Sequence, residues 1–421
     1  MLRRLFTKTR NPEKSGYIWN SIAGILFAMQ SALLLIVITR TNSIDDAGIF
    51  SIGYAIASLM SFIGEFGVRK FQASDVSEHF SYIDYYSFRI ITCVMMILAC
   101  LGYVGFFLIT GRYSLNKFLI IMGICLIKLI EAYTDVFYGR FQQKHRLDIG
   151  AKTNSFRICL GLIACSLALV FTHDLLKSVF IWLAASLIGM FMSTFAASPG
   201  YCTYTIRFNF AKAKSLFVQC LPIFLGSFLL VYIGNAPKYA IDACLSEADQ
   251  AKFNFIFMPV FVIGLLANFV FNPVLVSLAE EWNRKRIRAF DRMVLRQMMV
   301  IGGITALAVA VALTIGCPVL GWFYATDLSD SRMNLTILMI GGGMLALVNF
   351  FAIVITVIRY QHKLTIGYIS AAVVAMAVSE RVVSEYGITG AAVLYTSLMA
   401  VLAILFYVIL KIGEKKGAKE C

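Results

Sequence analysis

Three ionisable side chains lie close together within one apolar stretch in the first half of the chain. Lys128, Glu131 and Asp135 are three and four residues apart, so a helix places all three on one face. An ion at the centre of a membrane helix costs about 2.5–3.5 kcal/mol, so this face must turn to protein or water rather than lipid. Two interpretations are open. Lys128 and Glu131 form a pair that locks helix packing, or the face is a cavity wall that contacts a polar substrate or a coupling ion.

Further polar residues interrupt or end two other apolar stretches, which lie about two hundred residues apart. The first contains the amides of Asn20 and Gln30 and ends on Arg40, which is followed by Asp45 and Asp46. Arg40 either extends to lipid head groups beside acidic helix caps or attracts anions at the outer mouth of a cleft. The second stretch ends in NAPKYAID, where the candidates for a cleft wall are Asn235, Lys238 and Asp242. On the following span, the amide Asn268 either lines the same cleft or makes a packing contact.

Prolines are concentrated around the second of these stretches. Four of the seven in the chain lie there: Pro222, Pro237, Pro259 and Pro273. A proline removes a backbone donor and bends a helix, and within a membrane the freed carbonyl groups must find protein or water. The corresponding part of the first half has no proline, so we expect these four to act as hinges in the more flexible half of the protein.

A basic segment follows the last of these prolines. Six Lys and Arg residues lie within 284–296, and Arg288, Arg292 and Arg296 share one helical face. The segment either fixes the orientation of the chain and attracts anionic head groups, or it collects the pyrophosphate of a lipid.

Membrane helices are the elements that must position these residues. The chain of 421 residues is 60% hydrophobic and 14% charged, compared with about 45–50% and 25% in soluble domains. Its apolar runs continue for about 20 residues, enough to cross a hydrocarbon core. The net charge of +14 comes from short clusters between these runs, a pattern that indicates membrane orientation rather than nucleic-acid binding. The sequence therefore predicts an all-α polytopic membrane protein.

Twelve spans are predicted, at about residues 17–39, 47–68, 88–110, 116–138, 153–171, 177–199, 216–237, 251–278, 294–316, 335–358, 364–383 and 388–410. With a cytoplasmic N-terminus, 28 of the 37 Lys and Arg residues fall in cytoplasmic segments and 8 in outer ones. This bias predicts that both termini are cytoplasmic. The basic start MLRRLFTKTR is similar to that of a signal peptide, but the apolar run after it is too long and no cleavage site follows, so we expect an uncleaved first span.

Two pairs of similar sequences indicate that the chain is built twice. RFQQK at the end of span four is matched by RYQHK at the end of span ten. The residues after span one that recur after span seven are Ser43 and Ser246, Asp46 and Asp249, Gly48 and Ala251, and Phe50 and Phe253. We therefore predict two parallel six-helix lobes, residues 1–200 and residues 201–421, a common transporter plan. The alternative is that selection for positive inner loops makes such sequences similar.

These features resemble polysaccharide repeat-unit flippases (Wzx type) of the multidrug/oligosaccharidyl-lipid/polysaccharide (MOP) exporter superfamily, which includes MATE-like proteins. The resemblance covers nearly the whole chain. It rests on the twelve spans, the two lobes and the stretches RTNSIDDAGIF after span one, GEFGVRK at 64–70, NAPKYAID at 235–242 and FNFIFMP at 253–259.

The resemblance implies a function. Such a protein translocates an undecaprenyl-pyrophosphate-linked oligosaccharide from the inner to the outer leaflet of the bacterial cytoplasmic membrane, for surface polysaccharide biosynthesis. The head group passes through a charged cleft between the lobes by alternating access, and the lipid tail stays in the bilayer. By role, the matching residues are Arg40, Lys128 and Lys238 for an anionic head group, and Glu131, Asp135 and Asp242 for H⁺ or Na⁺ coupling. A polysaccharide polymerase and a chain-length regulator are the implied protein partners.

Two other classes stay open. A MATE-like drug or cation antiporter would need an acidic cleft, whereas the charges here are mixed. A membrane glycosyltransferase or polymerase could use Asp45 and Asp46, but it would need a large outer loop, and none is predicted. The sequence has no GxxxxGK[ST] motif, so we expect neither an ATPase site nor a bound cofactor.

Overall fold

The computed structural model is helical, with no β-strand among the residues that it describes. Those residues are 2–75, 77–271 and 274–419, with the side chains of all except 2, 265, 268–270 and 416–419. The chain divides into two compact units, Met1–Phe228 and Leu229–Cys421, and the boundary lies within a long helix. The lobes predicted at 1–200 and 201–421 remain a prediction.

The first unit contains eight helices and the start of a ninth. They are α1 Leu2–Thr7, α2 Pro12–Thr41, α3 Ile44–Glu65, α4 Val68–Ser74, α5 Tyr82–Ile109, α6 Leu115–Gln143, α7 Leu147–Thr172, α8 Leu175–Met190 and α9 Phe210–Cys244. A π-helical turn, Phe191–Phe195, extends α8.

The second unit contains the end of α9 and seven further helices: α10 Glu247–Phe257, α11 Val260–Phe271, α12 Leu275–Asn283, α13 Ile287–Val311, α14 Cys317–Tyr324, α15 Arg332–Val357 and α16 Leu364–Lys419. A π-helical turn, Ala312–Gly316, joins α13 to α14. Within α16, Gly387 has φ 58° and ψ −140°, so the segment is two helices that meet at this glycine. The break falls between the spans predicted at 364–383 and 388–410.

Helices lie at all twelve predicted span positions, and nine in the described chain are long and apolar enough to cross a membrane. The count of nine membrane-crossing helices is lower than the twelve predicted spans for three physical reasons. Helix α6 carries Lys128, Glu131 and Asp135, the helix at 247–271 is interrupted beside Pro259, and the last two spans are continuous across Gly387. The protein is thus a multi-pass membrane protein, and the count of twelve spans stays a prediction.

The charged helix α6 is the central helix of the first unit. It packs against α3, α5 and α8, with further contacts to α4 and α7. Most of its side chains are buried, including the aliphatic Ile120, Ile124 and Ile127. Lys128 and Glu131 on this helix are buried within the protein, which agrees with the expectation that its ions face protein or water.

Polar caps begin several helices in both units. The Ser43 hydroxyl accepts a hydrogen bond from the Asp46 backbone N–H (3.1 Å), and Ser246 and Asp249 form a capping box at α10. Each cap satisfies a backbone donor that the first helical turn leaves free. The two similar sequences therefore begin helices in the same way. Ser81 begins α5 with the same kind of cap, so the cap alone does not establish a repeat.

Candidate functional site

The first unit contains a charged cavity of about 450 Å³ beside α3, α4, α6 and the middle of α9. Its polar lining consists of two carboxylates, two cations, an amide and a hydroxyl: Glu65, Asp135, Arg69, Lys70, Gln142 and Ser227. Such a lining can bind phosphate oxygens through the cations and sugar hydroxyls through the carboxylates and neutral groups.

A sharp turn between α3 and α4 creates the wall of this cavity. Phe66 and Gly67 both have left-handed backbone angles, with φ 46° and 68°. A Cβ on Gly67 would lie 2.8 Å from the Ile223 side chain, so α9 approaches too closely for any other residue there. The Phe66 ring stacks on Phe224 with 4.5 Å between ring centroids, which fixes the turn against α9. GEFGVRK therefore encodes a turn that places Glu65, Arg69 and Lys70 around one space.

Asp135 connects the cavity to the core of the unit. One carboxylate oxygen lies 3.0 Å from the Arg89 guanidinium and the other 3.4 Å from that of Arg69. The Arg89 side chain is fully buried and also donates to the Gly64 carbonyl at the end of α3. Arg89 therefore holds Asp135 and α3 in place, whereas Arg69 keeps a third of its side chain exposed and can contact a ligand.

Lys128 and Glu131 lie deeper in the unit, in a buried ionic cluster. Their side chains are 2.7 Å apart, and the Lys128 ammonium donates to the Tyr54 hydroxyl at 3.1 Å. The other Glu131 oxygen lies 3.6 Å from the buried guanidinium of Arg157. The ammonium also lies over the Phe27 ring, 4.7 Å from its centroid. This geometry favours the packing interpretation for Lys128 and Glu131 and the cavity interpretation for Asp135.

The second unit contains another buried lysine with a different environment. Lys238 on α9 is 5% exposed, and its ammonium lies 4.4 Å from the centroid of the Phe257 ring. No carboxylate of the described chain lies within ion-pair distance of it. On α10, one or two turns before Phe257, the buried amides of Gln250 and Asn254 have atoms without a hydrogen-bond partner in the described structure.

The remaining predicted site residues are spread over α2, α9 and α11. Asn20 and Arg40 are exposed, whereas Gln30 is buried. Asn235 donates to the Val231 carbonyl one turn earlier, at 3.0 Å. Asp242 is half-buried near the end of α9, and the side chain of Asn268 lies outside the described residues. The roles predicted for all of them stay predictions.

The four predicted hinge prolines occupy different settings. Helix α9 continues through Pro222 and Pro237 as a single helix. Pro259 lies in the two-residue interruption between α10 and α11, where it breaks the helix as expected. Pro273 lies outside the described residues. The hinge role predicted for the four prolines stays a prediction.

The connection between α4 and α5 is held by a second carboxylate. Asp75 accepts hydrogen bonds from the backbone N–H groups of His79 and Phe80, at 2.9 and 3.0 Å, and from the Tyr85 hydroxyl at 2.8 Å. Burial acts to raise the pKa of Asp75, but these hydrogen bonds lower it below its ordinary value of 3.8. Asp75 is therefore ionised at neutral pH and keeps the end of the cavity-lining helix α4 fixed.

The sequence alone does not identify several of these residues as parts of a site. Arg69, Lys70 and Arg89 are among the basic residues whose distribution indicates orientation, and Glu65 lies within GEFGVRK. The sequence feature that points to this cavity is a carboxylate and two cations on either side of a glycine-containing turn at the end of a span. Arg157 gave no signal, because its partner Glu131 lies on another helix.

Comparisons with known proteins bear on the class. No family model matches the chain. The chain is 21% identical over 396 residues to a capsular polysaccharide biosynthesis protein, CapF, of Staphylococcus aureus. The aligned region covers 92% of this chain and 96% of that relative.

Two solved structures give the fold. An inward-facing multidrug resistance MATE family transporter of the MOP superfamily matches with a TM-score of 0.72 at 11% identity, over 93% of this chain and 96% of the other. An outward-facing structure with the same description matches with a TM-score of 0.61 at 13% identity, over 99% and 98%. The chain therefore has the fold of MATE transporters of the MOP superfamily. With a relative named for capsular polysaccharide biosynthesis, the resemblance to MOP polysaccharide exporters is confirmed.

Proposed function

We propose that this protein is a flippase that translocates an undecaprenyl-pyrophosphate-linked oligosaccharide from the inner to the outer leaflet of a bacterial cytoplasmic membrane, for surface polysaccharide assembly. The transporter fold and the curated relative support the class. The observation that carries the choice of substrate is the mixed charge of the cavity in the first unit.

The cavity offers the contacts that a pyrophosphate-linked sugar needs. Lys70 is exposed and forms no ion pair within the described chain; its ammonium lies 3.5 Å from the Ser227 hydroxyl. Arg69 is held by Asp135 at one nitrogen only, so the rest of its planar fork can bind phosphate oxygens. Glu65, Asp135 and Gln142 can accept or share hydrogen bonds with sugar hydroxyls.

The proposed function includes the orientation of the chain in the membrane. Twelve spans with both termini in the cytoplasm place the cavity-lining turn after α3 on the inner side, where the lipid-linked sugar is made. Ser43 and Arg286 are both exposed and are predicted to lie on opposite sides. Cysteines at these positions should react with an impermeant thiol reagent from opposite sides of the membrane, in a chain whose native cysteines are replaced. Labelling of both from one side would contradict the orientation.

The function is tested by deletion and complementation. Loss of the gene should accumulate lipid-linked repeat unit on the cytoplasmic leaflet, and the wild-type chain should relieve this accumulation. Lys70→Gln should lower the export rate about 10- to 100-fold, because a charge-assisted hydrogen bond is worth about 1.5–3 kcal/mol. Lys14→Gln removes an exposed lysine outside the cavity and should export normally. Normal outer-leaflet sugar in the deletion strain would contradict the proposal.

A MATE-like exporter of organic cations is the second candidate, because Glu65 and Asp135 could also bind a positive group in the same cavity. Under that function, the deletion strain would become sensitive to cationic drugs and its lipid-linked sugars would stay normal. In that case Lys70→Gln would be harmless or would improve cation export, since it removes a like charge. The polymerase and chain-length regulator implied by the resemblance remain predicted partners.

A further inference from the structure

Helix α9 carries a stripe of aromatic and polar side chains on the part that belongs to the second unit. This aromatic stripe consists of Tyr232, Asn235, Tyr239 and Asp242. Because successive residues of an α-helix are about 100° apart, the four side chains fall within an arc of about 80° and share one face. The helix rises about 15 Å from the first to the last of them, which is long enough to contact a short oligosaccharide.

The opposite face of α9 packs into the second unit. Ile233, Pro237 and Ala240 are buried, and they lie about 120–180° around the helix from the centre of the aromatic stripe. The four residues of the stripe are only half-buried. The aromatic stripe therefore lies at the surface of the second unit and not in its core.

The polar groups of the stripe indicate what this surface contacts. An amide, a carboxylate and two phenolic hydroxyls on one face of a membrane helix are costly against hydrocarbon. The Asn235 amide nitrogen donates to the Val231 carbonyl, and its amide oxygen accepts no hydrogen bond from the described residues. The aromatic stripe therefore turns to water or to a polar ligand, whereas the apolar face of the same helix is buried.

The two tyrosine rings of the stripe select the kind of ligand. The rings of Tyr232 and Tyr239 have centroids 5.9 Å apart, and their planes are within 23° of parallel. The face of an aromatic ring carries partial negative charge, and one side of a pyranose ring presents C–H groups of partial positive charge. A sugar ring can therefore stack on either tyrosine, and the amide oxygen of Asn235 can accept a hydrogen bond from a sugar hydroxyl.

Aromatic rings on the same arc connect the stripe to the wall of the charged cavity. Phe228 and Phe224 precede Tyr232 by one and two turns, and their ring centroids are 5.3 Å apart. Phe224 stacks on Phe66, which belongs to the left-handed turn that creates the cavity wall. Helix α9 thus presents one series of aromatic side chains from that turn to Tyr239.

We infer that Tyr232, Asn235 and Tyr239 form a binding site for the sugar rings of the transported oligosaccharide. The inference rests on the proposed function and assigns the sugar a site on the second unit, apart from the cations that bind the pyrophosphate. Stacking recognises the flat face of a sugar ring more than its pattern of hydroxyl groups. We therefore expect this site to accept more than one pyranose as the oligosaccharide passes.

Binding to the purified full-length protein in lipid nanodiscs tests the inference. The probes are undecaprenyl diphosphate and the same lipid carrying the oligosaccharide repeat unit, extracted from cells, so that they differ only in the sugar. The wild-type protein should bind the sugar-bearing lipid at least about tenfold more tightly, which is about 1.4 kcal/mol. The double variant Tyr232→Leu, Tyr239→Leu should lose this preference and bind the bare lipid as the wild type does.

Two further variants identify the cause of any loss. Tyr232→Phe with Tyr239→Phe keeps both rings and should retain most of the preference, because the rings supply the stacking. Tyr386 is 61% exposed in the second unit and lies outside the stripe, so Tyr386→Leu should leave the preference unchanged. Thermal unfolding of each variant, compared with the wild type, separates a loss of the site from a loss of the fold.

Equal affinities of the wild-type protein for the two lipids would overturn the inference without any variant. A full preference in a folded double leucine variant would also overturn it, because the sugar would then be bound elsewhere. Either result, with normal flipping in cells, would leave the proposed function intact. Failure of the wild-type chain to relieve the accumulation of lipid-linked sugar in the deletion strain would instead reject the function itself.

Discussion

Two buried lysines, Lys128 in the first unit and Lys238 in the second, have opposite environments. Lys128 has a carboxylate at 2.7 Å and a tyrosine hydroxyl at 3.1 Å. Among the described residues, the Lys238 ammonium lies on the face of the Phe257 ring and forms no ion pair. Both are at least nine-tenths buried, so both ammonium groups have lost most of their hydration.

From this difference we infer different roles for the two lysines. A buried ion pair compensates much of its own desolvation, and removing one partner leaves a charge that destabilises the fold. An unpaired buried cation has no such compensation, which makes it a candidate for contact with a ligand or for a proton step. We therefore expect the Lys128 cluster to hold α6 in place and Lys238 to act during transport.

The largest effect should come from breaking the cluster. Glu131→Gln leaves Lys128 and Arg157 buried without their shared carboxylate, so the free energy of unfolding should fall by about 3–5 kcal/mol. Thermal unfolding in detergent measures this change. Glu385→Gln, at an exposed position, is the control and should not alter stability. A variant Glu131→Gln as stable as the wild type would remove the structural role.

Lys238→Met should have a smaller effect of opposite sign. A methionine of similar length removes the desolvation cost of the ammonium, so stability should stay the same or rise by about 1–3 kcal/mol. Export of the lipid-linked sugar should nevertheless fall. Lys128→Met is the matched substitution, and it should lower stability because Glu131 loses its nearest partner. If Lys238→Met exported normally, the unpaired lysine would have no part in transport.

An exposed ion pair should change the free energy of unfolding least. Burial of the charges, rather than the distance between them, determines the size of this change. Glu78 lies 2.6 Å from the Lys144 ammonium, and the hydrogen bonds from Lys144 and Arg140 hold the pKa of Glu78 below its ordinary value of 4.5. A lowered pKa stabilises the fold above the unfolded value, and this contribution is lost as the pH falls through the folded value. Because Glu78 is exposed, solvent screening limits the contribution to about 0.5 kcal/mol.

Unfolding of the wild type and of Glu78→Gln at a series of pH values measures this contribution. The two proteins should differ slightly at neutral pH and converge in acid below the ordinary pKa of 4.5. A difference as large as that of Glu131→Gln would mean that the distance between the charges matters more than their burial.

Much of the fold could be predicted from the sequence, because apolar runs and the charges between them report on membrane crossing directly. Each predicted span coincides with helix, and the break at Gly387 lies between two of them. The charged face of α6 was also predicted. Its division into a buried pair and a cavity-lining Asp135 was not, because Tyr54, Arg89 and Arg157 come from three other helices.

The cavity itself was beyond sequence reasoning. Arg69 and Lys70 follow the end of a span, where basic residues normally report on orientation. Only the left-handed turn at Phe66 and Gly67 brings them to face Asp135. The uneven use of proline was visible in the sequence, yet α9 continues through Pro222 and Pro237, and only Pro259 interrupts helix in the described chain.

The most direct test is translocation by the purified protein in liposomes that contain a lipid-linked oligosaccharide. A glycosidase or lectin added outside reports the fraction of sugar on the outer leaflet over time. We predict that the wild-type protein moves the lipid-linked sugar across the bilayer and that Lys238→Met, although at least as stable, does so far more slowly. Wild-type liposomes that move no more sugar than protein-free ones, with the protein folded, would contradict the account.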